Sequence, residues 1–286
     1  MRKQSKRCLI ALSVAVGLLL AAVGVLWARP DWSFSIEKAL RQSGSLAWEP
    51  IALGDAAEEW TLSQLRKADS VTESTVLMLV NADHPLPENY VPLLKEYNGA
   101  RMHPEMIAAY VALRDEVEQR TGMRIYVSAD YRTREEQQQI ILESEDGIAA
   151  PLGCSEHEAG LALDVYVKGY GGMAFLKTDA GREVDRICGE YGFIIRYPEG
   201  KEEITGISYE PWHLRYVGAP HASCIMESGL AYEEYLECLR PEVWYAYGDY
   251  RVLKTGWERV MLPVGWKLCQ ISSDNAGHTV LTLKMA

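Results

Sequence analysis

Ser155-Glu-His-Glu-Ala-Gly-Leu-Ala-Leu-Asp164 is the stretch around which the remainder of the chain is arranged. It sets His157 and Asp164 seven residues apart, with Gly160 between them. A second short stretch, Glu210-Pro-Trp-His213, adds another imidazole and another carboxylate. Two imidazoles and one carboxylate suffice for a catalytic zinc ion, which takes three protein ligands and keeps one position for water. On this reading His157, Asp164 and His213 hold one zinc ion and Glu210 is left without a metal to bind. Glu210 lies three residues before His213, close enough in the chain to act as the general base toward that water. Each of these residues alone has an ordinary reading, a buried histidine satisfied by hydrogen bonds or a surface acid; the constellation, not any member, carries the chemistry.

The pattern SxHxxGxAxD followed by ExWH resembles the zinc D-alanyl-D-alanine carboxypeptidases of the VanY type. Two further elements agree: Tyr131-Arg132 in SADYRTREEQ looks like the family's tyrosine-arginine element, and RYPEGKEEITGISYEPWHLRYVG looks like its closing segment. The resemblance covers roughly residues 75 to 240, in the family's order. It implies an α+β fold of the hedgehog and D-Ala-D-Ala peptidase type, a small antiparallel sheet with helices on one side and a central zinc cleft. It also implies that Arg132 contacts the scissile carbonyl and its oxyanion, where a fixed guanidinium stabilises developing charge. Ser155 and Gln137 look like substrate-positioning groups, Tyr197 is a further candidate, and Trp212 is expected to wall the pocket. The implied substrate is a peptidoglycan stem peptide ending in D-alanine, and the implied reaction removes that D-alanine. Such trimming lowers the supply of cross-linking donors, and could reduce binding of glycopeptide antibiotics that grip a D-alanyl-D-alanine end.

Composition sets the frame. A chain of 286 residues, 48% hydrophobic, has room for one domain with appendages. Residues 8 to 27 form an uncharged apolar run preceded by Arg2, Lys3, Lys6 and Arg7. That length crosses a bilayer as a helix, and the basic flank favours a cytoplasmic N-terminus. The expectation is a single-pass anchor in the cell membrane with the catalytic part outside; the competing reading is a cleaved signal peptide. The formal net charge is −11, and residues 1 to 29 carry only basic charges, so the external part is more acidic still. Such a surface repels nucleic acid. Five of the six cysteines lie outside the apolar run, an odd number. Cys224 and Cys238 flank two helices and a Gly229 break that could bring them together as a disulfide.

Along the chain, residues 1–28 read as basic tail and anchor and 29–74 as a stalk, with a short helix around Ala56 to Lys67. Residues 75–240 read as the zinc carboxypeptidase domain and 241–286 as a β-rich C-terminal appendage. Val76–Val80 reads as a strand, Pro104 to about Arg120 as a helix with Met106, Tyr110, Leu113 and Val117 at helical spacing, and Arg124–Ser128 as a strand. Thr133 and Glu136 form a capping box that opens a helix and fixes Arg132 at a strand-to-helix turn. Leu161–Tyr166 returns as a strand holding Asp164. Asp179 caps a helix stopped by Gly192, and Phe193–Arg196 and Ile207–Val217 read as further strands. After Arg240-Pro241, aromatic and β-branched residues alternate between turn signals, as in an antiparallel sheet packed on the core. His84, His103, His221 and His278 lie outside the motifs and read as surface or loop residues.

Three rivals remain: an L,D-carboxypeptidase acting on tetrapeptide stems, an endopeptidase cutting within the stem, and a peptidoglycan-binding module without activity. The motifs do not separate the two carboxypeptidases. The retained Glu210 argues against a pure binder, and the absence of a G-x-S-x-G or Ser-x-x-Lys pattern around Ser155 argues against a serine nucleophile.

Overall fold

A computed structural model describes residues 30–144 and 149–286. The apolar run expected as an anchor, residues 8 to 27, lies outside the described residues; among those described, no helix is long and apolar enough to cross a membrane. Residues 1–42 and 43–286 form two units. The described part of the first is a helix, Pro30–Arg41.

The second unit begins with the short strands β1 (Glu49–Ile51), β2 (Glu58–Thr61) and β3 (Val71–Ser74), then a hairpin of β4 (Lys95–Tyr97) and β5 (Ala100–Met102). The helix Pro104–Thr121 leads to β6 (Tyr126–Ala129), and the helix Arg134–Glu143 precedes β7 (Ala162–Tyr166). After the helix Asp179–Ile187 come β8 (Phe193–Ile195) and β9 (His213–Tyr216). Two helices, His221–Ser228 and Tyr232–Cys238, precede β10 (Trp244–Tyr247), β11 (Tyr250–Thr255), β12 (Arg259–Leu262), β13 (Trp266–Ser273) and β14 (Thr279–Met285).

The site belongs to a four-stranded antiparallel sheet in the order β6-β7-β9-β8. Its apolar residues Leu163, Val165, Phe193, Ile194 and Leu214 join Met106, Tyr110, Leu113 and Val117 of the long helix in one buried cluster. The expected helical spacing therefore reports the buried stripe of that helix. His103 caps its start, accepting from Glu105 N at 3.4 Å, and Gly122 ends it at φ +70. His103 is buried rather than exposed, its ring nitrogen engaged at the helix start. The capping box at Thr133 is present, with Thr133 Oγ1 accepting from Glu136 N and Glu136 accepting from Thr133 N. The helix after Thr178 ends at Ile187 and continues as a 3-10 turn to Tyr191, and Gly192 stops it at φ +83. Its cap is Thr178, whose hydroxyl accepts from Gly181 N, rather than Asp179.

The segment 29–74, expected as a stalk, is woven into sheets from Glu49 onward. β1 pairs antiparallel with β10, β2 with β12, and β3 lies parallel to β13. The C-terminal appendage is thus a six-stranded sheet in the order β1-β10-β11-β14-β13-β3, completed by residues from the other end of the chain. Strands of three or four residues show almost no period of their own, and their partners lie far away in sequence. The helix expected at Ala56 to Lys67 shrinks to Leu62–Leu65 for the same reason, since Glu58–Thr61 is taken by β2.

Val76–Val80 is deeply buried but is not a strand. Much of its backbone is satisfied by side chains: Arg215 Nη2 accounts for the carbonyls of Val76 (3.0 Å) and Met78 (2.7 Å), Tyr232 Oη donates to that of Leu77, and Ser272 Oγ accepts from Leu77 N, while Met78 N and Leu79 N donate to the carbonyls of Thr75 and Asp274. A buried irregular segment needs such partners in place of a ladder. Likewise Ile207–Val217 contributes only β9, because the turn through Pro211 delays pairing until His213.

His221 is a buried tie between the helices His221–Ser228 and Tyr232–Cys238 and the second sheet. Its ring faces Tyr235 Oη at 2.5 Å and Thr282 Oγ1 of β14 at 2.7 Å. Burial depresses its pKa to about 3, so it is held neutral. Cys224 is buried and Cys238 exposed, and both are free thiols, so the disulfide their flanking helices left open is not formed.

Candidate metal centre and cleft

Three side chains from two neighbouring strands and the loop before them converge. Asp164 in β7 and His213, the first residue of β9, are direct cross-strand partners. His157 stands in the turn before β7, and its ring meets that of His213 edge-on, with centroids 5.0 Å apart. His157 Nε2 lies 3.5 Å from Asp164 Oδ1, and His213 Nδ1 lies 3.0 Å from the same oxygen. Gly160 makes the tight return possible: its φ is +70, and a Cβ there would stand 2.6 Å from Leu94 Cδ2.

One ligand atom from each of the three lies within 4.8 Å of the others, close enough for the set to hold a metal ion. Asp164 Oδ1 is buried and, despite its distance from His213, has no hydrogen bond of proper geometry. His157 Nδ1 donates to Asp130 O at 2.7 Å, which leaves Nε2 as a lone pair directed at the same point. His213 turns Nδ1 inward. Burial opposes charge on Asp164, but the two imidazoles outweigh it and hold its carboxyl well below the usual range. Burial likewise lowers the pKa of His213, yet Asp164, Glu156 and Glu210 raise it to about 9. Two imidazole nitrogens and a carboxylate oxygen around a point that favours positive charge fit a divalent transition ion such as zinc.

The cleft over this point has a volume of about 280 Å³. Arg132, Gln137, Ser155, Tyr197 and Glu210 line it together with the three ligand candidates. Glu210 Oε2 is 3.6 Å from His213 Nδ1, outside the cluster of ligand atoms but beside it. Burial raises the Glu210 pKa, Asp164 adds to that, and His213 and Arg132 oppose it. A carboxylate with raised basicity at this position can accept a proton. Arg132 donates from Nη1 to Gln137 Oε1 at 2.8 Å, and Gln137 Nε2 donates to Ala150 O at 2.6 Å. The Arg132 backbone N–H also bonds the carbonyl of His157 at 3.1 Å, locking the turn that carries it to the metal loop. The Tyr197 ring lies against that of His213, with centroids 4.8 Å apart and the planes tilted by 46°.

Trp212 does not line the cleft. Adjacent residues entering a strand project to opposite faces, so with His213 directed inward Trp212 packs against the apolar core. Glu156 is a residue that motif reading passed over. It is fully buried, and its Oε1 accepts from Arg196 Nε at 2.7 Å and Arg215 Nη1 at 2.9 Å. Its two arginine partners lie 40 and 59 residues downstream. Nothing local sets Glu156 apart from Glu158 on the other side of His157; only the distant arginines do.

Comparison with known proteins points the same way. Residues 99–219 match the family model described as VanY: D-alanyl-D-alanine carboxypeptidase. A D-alanyl-D-alanine carboxypeptidase of Enterococcus faecium is 31% identical over 204 residues, which are 63% of this chain and 65% of that protein, so the match spans slightly less than two thirds of it. The bifunctional D-Ala-D-Ala dipeptidase and D-Ala-D-Ala carboxypeptidase of Enterococcus gallinarum is 37% identical over 187 residues, 58% of this chain and 96% of that protein. Among solved structures, a variant of the vancomycin-resistance D,D-pentapeptidase VanY in complex with Zn(II) is similar, with a TM-score of 0.52 and 35% identity, covering 56% of this chain and 98% of that one.

Proposed function

Because this chain belongs to the VanY D-alanyl-D-alanine carboxypeptidase family, we propose that it is a zinc-dependent D,D-carboxypeptidase that removes the terminal D-alanine from peptidoglycan stem peptides. His157 Nε2, His213 Nδ1 and Asp164 Oδ1 would hold one zinc ion. Zinc, when bound, supplies a Lewis acid that polarises the scissile carbonyl and acidifies water. The observation that carries the reading is Glu210, desolvated beside the ligand cluster yet not part of it. Glu210 takes a proton from the attacking water and passes it to the amine of the departing D-alanine. Arg132, held by Gln137, faces the carbonyl oxygen as it gains negative charge. Ser155, Gln137 and Tyr197 position the peptide in the cleft.

In this proposal the apolar run of residues 8–27 anchors the chain in the cell membrane and the catalytic unit works outside, where its substrate is. The test is D-alanine release from pentapeptide and tetrapeptide stems, each with and without a chelator. Chelator-sensitive release from pentapeptide is the expected result. Release from tetrapeptide alone would transfer the assignment to an L,D-carboxypeptidase, and release from neither by zinc-loaded protein would refute a carboxypeptidase.

A further inference from the structure

His213 has two ring nitrogens, and only Nδ1 looks into the cleft. Nε2 is buried with no hydrogen-bond partner and faces Glu156 Oε2, itself buried and unpartnered, at 3.5 Å. Two complementary buried polar atoms, each otherwise unsatisfied, represent a contact that a shift of about half an ångström turns into a charge-assisted hydrogen bond. The other oxygen of Glu156 is committed to Arg196 and Arg215, so the carboxylate has one free edge and it points at His213.

We propose that Glu156 is the positioning residue of the metal centre: it accepts the Nε2–H of His213, fixing the tautomer that presents Nδ1 to the metal. The two histidines then use opposite ring nitrogens, each set by what the other nitrogen meets, Asp130 O for His157 and Glu156 for His213. The arginines explain why a carboxylate can stand there at all. A buried charge without partners is strongly disfavoured, because nothing replaces the water it loses. Here Arg196 is shared between Glu156 and Glu233, whose Oε2 lies 3.0 Å from Arg196 Nη1, and Arg215 also donates to the carbonyls of Val76 and Met78. Arg215 thereby joins the metal loop to the segment 76–79. That segment is in turn bonded to the second sheet and its β13–β14 turn by Ser272 Oγ, the carbonyl of Asp274 and Asn275 Nδ2. The C-terminal sheet is accordingly part of the scaffold that aims His213, although none of its residues lines the cleft.

The inference rests on His213 being a metal ligand, and the test separates the two. Zinc affinity is measured by competition with a chromophoric chelator for wild type, Glu156→Gln and Glu156→Asp, with apo-protein melting followed in parallel. Stoichiometric zinc in wild type upholds the ligand reading; its absence overturns that reading together with the inference. Affinity falling by roughly 10–100-fold in Glu156→Gln, beyond any change in apo stability, supports the inference. A lower apo melting temperature with zinc affinity within twofold of wild type overturns it, because the carboxylate would then be only an arginine partner. If neither variant folds, long-range proton–nitrogen NMR of zinc-loaded wild type decides. A His213 ring protonated at Nε2 is expected, and protonation at Nδ1 overturns the inference.

Discussion

His221 offers the cleanest link between pH and the union of the two sheets. Replacing it with glutamine keeps one donor and one acceptor between Tyr235 Oη and Thr282 Oγ1 but removes the titratable ring. In the folded protein burial depresses its pKa to about 3, against about 6.5 in an unfolded chain. Between those values the unfolded state binds the proton and the folded state does not, so stability rises with pH and is lost on acidification. Integrating from pH 7 down to pH 5 gives a loss of about 2 kcal/mol from this residue. The assay is chemical denaturation of wild type and His221→Gln at both pH values. Other groups titrate in both proteins and cancel in the double difference. Wild type should lose about 2 kcal/mol more than the variant between pH 7 and pH 5. An identical pH dependence in the two proteins would show that His221 takes up its proton without leaving the core, and the reasoning from burial would fail.

Glu210→Gln should keep zinc yet lower kcat for D-alanine release by roughly 10²–10⁴-fold, since the ligand atoms are untouched and only the proton acceptor is lost; unchanged turnover would remove Glu210 from the mechanism. Arg132→Lys should reduce kcat by about 10²-fold with little change in melting temperature, because a single ammonium cannot both bond Gln137 and face the carbonyl. Gly160→Ala should cost about 1–3 kcal/mol of stability and weaken zinc binding, since φ +70 and the contact with Leu94 both oppose a Cβ; urea denaturation and metal titration would check the two effects.

The capping box at Thr133, the amphipathic stripe of the long helix and the strand holding Asp164 were legible because each rests on interactions within one or two turns or one strand. The ligand candidates and Glu210 were legible as well, since two short motifs carry all four and the pairing of β7 with β9 brings the motifs together. Local reading failed where the deciding partner was distant. Glu49–Ile51 looks like linker until β10 supplies its hydrogen bonds, and Val71–Ser74 until β13 does. Val76–Val80 looks like a strand because it is apolar, but its backbone groups are taken by scattered partners, among them Arg215, Tyr232 and Ser272, rather than by a neighbouring strand. Trp212 looks like a pocket wall until β9 fixes which way His213 turns. The sequence by itself determined the chemistry available, two imidazoles, a carboxylate and a spare acid at short spacing. Which nitrogen of each histidine faces the cleft, and that Glu156 stands behind His213, follow from the folded arrangement alone, because they depend on contacts between segments that no local pattern encodes.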